Sequence, residues 1–240
     1  MNSGIYSALS GSLARTELID VISNNLANAG TYGFKKERIG FAALLDGATQ
    51  AQKAGGTNFA VVSGSLTDHD AGPTIETGGD LDLAIVGEGF FRVRNDEGLF
   101  YTRVGNFTRA ADGALITRSG DTVMSADNEA IILPDGSITI DERGRVLGEN
   151  GQVGEIPIFT MDQRALIKNG GGRFELQDED VPVTITTESQ VMQGHLEQSN
   201  VKMMEETALM MSNLRSFEAY EKAMKNYHEV NAKALEIAAF

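Results

Sequence analysis

The few residues whose types and spacing could support ligand chemistry lie in the middle of the chain. Asp80 and Asp82 could ligate a hard cation through carboxylate oxygens, but no third acid follows at the spacing of a calcium-binding loop. Gly87 and Gly89 form half of a dinucleotide-binding fingerprint and lack its third glycine. We therefore expect the first pair at a solvated strand edge and the second pair in a turn.

Residues suited to nucleophilic or metal-assisted catalysis are also sparse. The chain has no cysteine, which excludes a thiolate nucleophile, a disulfide framework and a zinc site built on thiolates. Its 3 histidines are far apart, no Gly-x-Ser-x-Gly elbow is present, and no Lys-Ser/Thr pair follows the glycines at 170–172. We predict no catalytic residue, no metal site, no cofactor and no small-molecule substrate, and an enzyme is the least supported class.

Composition narrows the possible partners. The 240 residues carry a formal net charge of −14, and residues 41–195 alone hold 11 basic and 24 acidic residues. Such an acidic chain is a poor ligand for nucleic acid or for an anionic membrane surface. No apolar stretch approaches the roughly 18 residues of a membrane span. Residues 1–20 lack a basic start and a continuous apolar run, so we expect no cleaved secretory signal.

The N-terminal residues predict a helix over 5–29. Gly30 and Thr31 are expected to end this helix, and Gly33 follows closely. Large apolar residues recur at helical spacing in two runs, which are Ile5, Leu9, Leu13 and then Leu18, Ile22, Leu26.

The C-terminal residues carry the strongest helical pattern, because residues 195–240 contain neither glycine nor proline. Ser199, followed by Glu205 and Glu206, suits the positive end of a helix dipole. Two adjacent stripes make a wide apolar face that needs neighbours on more than one side. Both follow steps of three and four residues: Met203, Met210, Leu214, Phe217, Met224, Leu235, Ala238, and Leu209, Tyr220, Ala223, Tyr227, Val230, Ala234, Ile237.

The middle of the chain has the pattern of a β domain. Short apolar runs alternate with Asp-Gly, Asn-Gly and related dipeptides at 97–98, 112–113, 135–136, 143–144 and 150–151, which are hairpin signals. The spacing predicts a small antiparallel barrel or sandwich. The pattern fades between residues 34 and 79, where the run 50–57 is expected to be a connector.

These signals together predict an α+β protein whose N- and C-terminal helices pair as a coiled-coil-like layer beside a central, mostly antiparallel β domain. The expected division is an N-terminal assembly helix at 1–30, an extended connector at 31–79, the β domain at 80–194 and a C-terminal assembly helix at 195–240. An isolated helix is marginal in water and leaves its apolar stripe exposed. We therefore expect both ends to be poorly ordered in a free monomer and to fold on assembly.

Two motifs resemble the signatures of the bacterial flagellar axial proteins, which build the rod and the hook. At the N-terminal end, Asn24-Asn25-Leu26-Ala27-Asn28-Ala29 is followed by Thr31 and by Gly33-Phe34-Lys35. At the C-terminal end, Leu196-Glu197-x-Ser199-Asn200-Val201 opens the long helix, and Arg215-x-Phe217-Glu218 lies further on. The middle also resembles rod and hook members, through Gly87-x-Gly89-Phe90-Phe91-x-Val93 and Tyr101-Thr102-Arg103-x-Gly105-Asn106-Phe107.

The resemblance implies a structural subunit of the flagellar rod in the basal body, a tube that crosses the periplasm. Family members are exported by the flagellar type III apparatus without signal cleavage, and they assemble with copies of themselves and with other rod proteins through their terminal helices. The start of the chain and its length are most similar to the proximal-rod members, with the distal-rod members next. A soluble module outside the flagellum, binding a partner protein or a sugar, is the alternative from another class.

The residues expected to mediate assembly lie in two regions. One is the N-terminal joint, where the N-terminal helix ends, and the other is the C-terminal helix. At the joint, asparagines can satisfy loose backbone groups near a helix end, and glycine permits a turn that a Cβ would strain. On the helix, methionine adapts to uneven packing between subunits. The full set is Asn24, Asn25, Leu26, Asn28, Gly33 and Phe34, together with Met210, Leu214, Phe217, Tyr220, Met224, Tyr227 and Leu235.

Overall fold

The structure is a computed structural model, and it describes residues 2–45, 58–149, 151–178 and 180–238. The expected connector run 50–57 lies outside the described residues. The chain forms two compact units. Unit one holds the described parts of Met1–Ala27, Glu37–Asp68 and Lys202–Phe240, and unit two holds Asn28–Lys36 and His69–Val201.

Unit one contains two long helices, α1 (Asn2–Ala27) and α2 (Met203–Ala238), which pack against each other. The predicted helices are therefore present, but α2 begins later than residue 195. Residues 195–197 form a strand instead, because Leu196 pairs with Ile75 of unit two. Within the described residues, neither helix is long and apolar enough to cross a bilayer.

Unit one also contains an antiparallel hairpin, β1 (Glu37–Leu45) and β2 (Asn58–Thr67), whose register shifts between Gly40 and Phe41. Both strands lie in the stretch 31–79, for which the sequence analysis expects an extended connector. The hairpin packs on α1. The sequence analysis missed this pairing although β1 contains Ile39 and Phe41 and β2 contains Val61 and Val62, which are residue types common in strands.

Unit two is built from short antiparallel strands. They are β3 (Thr74–Glu76), β4 (Leu83–Val86), β5 (Phe91–Asn95), β6 (Gly98–Thr102), β7 (Phe107–Arg109), β8 (Leu115–Thr117), β9 (Thr122–Val123), β10 (Thr139–Ile140), β11 (Arg145–Gly148), β12 (Gly151–Glu155), β13 (Phe159–Thr160), β14 (Leu166–Lys168), β15 (Arg173–Leu176), β16 (Thr184–Ile185), β17 (Gln190–Gln193) and β18 (His195–Glu197). The main sheet has seven strands in the order β14-β15-β6-β5-β9-β8-β7, and smaller pairings join β10-β11-β12, β13-β16, β17-β4 and β18-β3.

The predicted turn signals fall where the chain reverses. Asn95 pairs with Gly98 across the β5–β6 hairpin, and Gly144 lies between β10 and β11. The apolar residues 130–133 form isolated bridges, Ala130 with Met124 and Ile132 with Ala114. The α+β class with a central antiparallel β domain is confirmed.

Two apolar clusters form the core of unit two. The larger contains side chains that are almost fully buried, such as Leu83, Phe91 and Val146. The smaller is aromatic and contains Phe90, Phe159 and Phe174. Burial of these side chains from many short strands stabilises a domain whose individual hairpins would be marginal.

The glycine and aspartate pairs in the middle of the chain lie in turns, and Asp82 also forms an isolated β-bridge with Asn106. Gly87 and Gly89 have φ values of +110° and +116°, which favour glycine. The Asp82 carboxylate accepts a hydrogen bond from the Thr77 hydroxyl at 2.6 Å. No group of three acidic, histidine or cysteine side chains suited to a metal ion occurs among the described residues.

Candidate functional site

Three contacts show that α1 and α2 run antiparallel. The ring of Tyr220 lies against Gly11, where an added Cβ would come within 2.8 Å of it. Arg15 donates a 2.7 Å hydrogen bond to the Asn213 side-chain oxygen. Ser23 contacts the Met210 sulfur at 4.0 Å. As the residue number rises along α1, its partner's number falls along α2, so the two ends of the chain form one helical pair.

The side of α2 that packs on α1 follows a heptad-like seam. Its members are half-buried or buried and recur in steps of four and three. Two of them are polar and were missed by the sequence analysis, Glu206 and Asn213, with exposures of 8% and 5%. They fall at the same steps of three and four as the apolar members, but a pattern built on apolar side chains does not select polar residues. The complete seam is Glu206, Met210, Asn213, Phe217, Tyr220 and Met224.

The predicted C-terminal residues therefore divide between two faces. Met210, Phe217, Tyr220 and Met224 lie on the seam. Leu214 and Tyr227 instead point to solvent, with exposures of 42% and 43%. Leu235 lies within α2, and its side chain is outside the described set.

The helical pair exposes a large amount of apolar surface, which we call the outer apolar face. Met204 is 84% exposed and Leu13 is 59% exposed, although both are large apolar side chains. The set comprises Leu9 and Leu13 of α1 and Met203, Met204, Leu209, Met211, Leu214, Tyr227 and Val230 of α2. At 100° per residue, Met203, Met204, Met211 and Leu214 share one side of α2, and the other three lie on other sides of it. Clustered exposed apolar side chains are typical of protein interaction sites.

Asn25 connects the end of α1 to the start of β1. Its side-chain amide donates to the Glu37 carbonyl at 2.9 Å, and its side-chain oxygen accepts from the Glu37 N–H at 2.9 Å. The side chain is 1% exposed. Both hydrogen bonds hold the strand beside the helix within unit one. Of the neighbouring predicted residues, Asn24 is exposed and Leu26 is half-buried.

The turn after α1 lies in unit two. The Thr31 N–H donates to the Asn28 carbonyl at 3.1 Å, and the Thr31 hydroxyl donates to the Asn28 side-chain oxygen at 3.3 Å. Gly33 has φ +66° and donates its N–H to the Glu197 carbonyl at 2.8 Å. A Cβ at Gly33 would lie 2.6 Å from the Arg103 backbone carbon, so only glycine fits.

Phe34 is buried in unit two, where it contacts β14 and the C-terminal signature segment. The Lys168 ammonium lies 3.8 Å from the centre of its ring, a cation–π contact. Its carbonyl accepts a 3.4 Å hydrogen bond from the Asn200 N–H. Phe34 is thus an anchor inside one chain, and its expected part in assembly stays a prediction.

A buried group of three charged side chains was missed by the sequence analysis; we call it the ion cluster and define it as Lys35, Arg103 and Glu197. The Lys35 ammonium lies 2.5 Å from one oxygen of the Glu197 carboxylate, and the Arg103 guanidinium lies 3.1 Å from the other. All three side chains are at most 4% exposed. Opposite charges within the two signature motifs were the signal that could have indicated the pairing.

Backbone groups complete the ion cluster. Lys35 also donates to the Asp70 carbonyl at 2.7 Å, and the Gly72 N–H donates to the Glu197 carboxylate at 2.9 Å. Burial lowers the pKa of the Arg103 guanidinium below its ordinary value, and the Glu197 carboxylate offsets part of that shift. Since the charges are paired and hydrogen-bonded, the cluster is a structural tie between distant parts of unit two.

Comparison with known proteins gives three family matches along the chain. The family described as "Flagella basal body rod protein" matches residues 5–35, "Flagellar hook protein FlgE/F/G D1 domain" matches 84–148, and "Flagellar basal body rod FlgEFG protein C-terminal" matches 192–237. A flagellar basal-body rod protein FlgF from Caulobacter vibrioides is 31% identical, over 98% of this chain and 98% of that protein. The chain belongs to the flagellar basal-body rod protein family.

Other members of the family are similar over nearly the whole chain. The rod protein FlgG from Bacillus subtilis is 30% identical, over 94% of this chain and 95% of its own length. The rod protein FlgF from Rhizobium meliloti is 27% identical, over 98% of both chains. Each matched region contributes one member of the ion cluster: Lys35 lies in the first, Arg103 in the second and Glu197 in the third.

Proposed function

We propose that this rod-family protein is a non-enzymatic structural subunit that self-assembles through α1 and α2. The observation that carries the proposal is the outer apolar face. Side chains such as Met204 and Val230 are more than half exposed on the helical pair, and burying each would contribute about 1.5–3 kcal/mol. Burying these side chains against the helical pair of another subunit would lower the free energy of the assembled state.

We assign the subunit to the proximal rod, with the distal rod as the alternative. The full-length similarity to FlgF proteins supports the first assignment, and the similarity to a FlgG protein at 30% identity supports the second. The non-flagellar binding module has no such support, because the whole chain matches rod proteins.

The rest of the proposal follows from membership in the family. The partners are copies of this chain and other rod proteins, and the location is the periplasmic rod of the basal body. The flagellar type III apparatus exports the chain without cleaving a signal. Folding of α1 and α2 is coupled to assembly, since covering the outer apolar face offsets the conformational entropy lost on ordering them.

The test is a deletion strain and its complementation with an epitope-tagged chain. We expect loss of motility, basal bodies without a complete rod, and restoration by the wild-type gene. Electron microscopy of purified basal bodies with a labelled antibody then locates the tag. A label at the base of the rod supports the proximal assignment, and a label at its outer end supports the distal one. Intact rods in the deletion strain would overturn the structural role.

A further inference from the structure

A groove of about 800 Å³ opens beside β6 in unit two. Apolar side chains form much of its wall, including Leu99, Leu176, Val181 and Val183. Leu99 of this wall is 37% exposed. The groove belongs to unit two, whereas the helices of the proposed assembly role belong to unit one.

The groove exists because β15 separates from β6. Strand β6 pairs with β5 along its whole length, from Gly98 to Thr102. On its other side it pairs with β15 only at Thr102 and Tyr101. The next residues of β15, Glu175 and Leu176, pair with β14 on the opposite edge of β15 and do not continue the pairing with β6. Among the described residues, no strand pairs with residues 98–100 on the groove side, so this part of β6 is an open edge.

The rim of the groove is acidic. Asp96, Glu97 and Glu175 line it, and the exposed Asp178 and Asp180 lie in the loop that leads to its apolar wall. Arg94 is the basic residue of the lining. An open edge with alternating pockets binds an extended segment through main-chain hydrogen bonds, and the rim charges select which segments approach.

We propose that the β6 groove binds an extended, basic segment of a partner protein by strand addition. The segment has apolar side chains at every second position and lysine or arginine between them. Three open residues span about 10 Å at strand spacing, so a short segment suffices. A second copy of this acidic β domain is disfavoured by charge. The competing explanation is that the acidic rim only protects the edge from pairing with other chains.

The binding experiment uses the full-length protein and three synthetic peptides, followed by fluorescence anisotropy. The first is acetyl-Lys-Val-Arg-Val-Lys-Val-Lys-amide. The second has glutamate in place of every basic residue. The third keeps all side chains of the first but carries N-methyl groups on alternate backbone nitrogens. We expect the first to bind, the second not to bind, and N-methylation to weaken binding at least about tenfold, because it removes strand hydrogen bonds.

Two protein variants with equal changes in charge distinguish binding at the groove from non-specific electrostatic attraction between the basic peptide and the acidic protein. Asp96→Lys with Asp180→Lys reverses two exposed charges at the rim. Asp127→Lys with Glu129→Lys reverses two exposed charges elsewhere in the same unit. We expect the first pair to weaken peptide binding at least about tenfold and the second to leave it within about twofold. Amide hydrogen exchange at residues 98–100 should slow when the first peptide is added.

Three results would overturn the proposal. They are equal binding of the N-methylated peptide, equal loss of binding in the two protein variants, or no binding of the basic peptide at millimolar concentration. Each would favour the protective role of the rim. The assembly of rods is a separate readout, so failure here leaves the proposed function standing.

Discussion

The ammonium group of Lys35 lies 2.5 Å from the carboxylate of Glu197, which is 162 positions later in the chain. Lys35 ends the N-terminal signature and Glu197 belongs to the C-terminal one. Their contact joins both signatures inside unit two, and Arg103 adds the β domain to the same ion cluster. The signatures of this family thus serve the folding of a single chain, in addition to any role between subunits.

Removing the Glu197 charge should destabilise unit two. Glu197→Gln leaves the Lys35 and Arg103 cations buried without a countercharge, and breaking a buried pair costs about 3–5 kcal/mol. Urea unfolding at constant pH measures the loss. Glu188→Gln, which changes an exposed acid of the same unit, is the matched control and should have little effect. A loss below about 1 kcal/mol in Glu197→Gln would show that the ion cluster is not a strong tie.

Two glycines near the N-terminal joint should respond differently to alanine. Gly33→Ala forces an L-residue to φ +66° and brings its Cβ to 2.6 Å from backbone atoms of Arg103, so we expect a loss above about 2 kcal/mol. Gly30→Ala is the control, because no atom outside its immediate chain neighbours lies within 4 Å of a Cβ there. Thermal unfolding compares the two variants. Equal stability would contradict the described turn.

Asn25→Ala should loosen the start of β1. The substitution removes both hydrogen bonds to the Glu37 backbone, and buried groups that lose their partners cost about 1–3 kcal/mol. Faster amide exchange at Glu37, measured by NMR, is the local readout. Asn226→Ala makes the same change at an exposed position of α2 and should leave that exchange unaltered.

Assembly should depend on the outer apolar face. Leu214→Asp places a charge on that face, where it would be buried between subunits without a partner, so we expect loss of incorporation into basal bodies and loss of motility. The β domain should stay folded, since Leu214 belongs to unit one. Asn226→Asp adds the same charge at an exposed polar position of α2 and should support motility. Normal swimming with Leu214→Asp would count against assembly through this face.

Acid should weaken the β10–β11 hairpin through Asp141. Burial raises the pKa of Asp141, but hydrogen bonds from the Arg145 side chain and from the N–H groups of Arg145 and Arg143 together outweigh it, so the pKa lies below its ordinary value of 3.8. A lowered folded-state pKa stabilises the fold above the unfolded-state pKa, and this stabilisation is lost as pH falls through the folded-state value.

The variant Asp141→Asn tests that dependence. It should lower the free energy of unfolding near neutral pH, and its difference from the wild type should shrink as pH falls below about 4. Asp127→Asn, at an exposed turn, is the control and should keep the wild-type pH profile. A constant difference between Asp141→Asn and the wild type across the titration would contradict the assigned hydrogen bonds.

Local patterns predicted much of the fold. Helical spacing of apolar residues predicted α1 and α2, and Gly98 and Gly144 marked hairpin turns that the structure confirms. The signature residues pointed to the family, which the comparisons confirm. These features depend on residues that are close together in the chain, so a local sequence pattern is enough to predict them.

Long-range packing settled the rest. Nothing in the spacing showed that Leu214 would face solvent while Asn213 would lie in the seam. A wide apolar face on α2 does not determine which of its residues will contact α1. Nor did the spacing show that Lys35 would meet Glu197 and Arg103, or that β15 would pair with β6 over only two residues. Each of these contacts depends on the packing and desolvation of residues that are far apart in sequence. Local sequence patterns therefore do not determine them, and they form only when the whole domain folds.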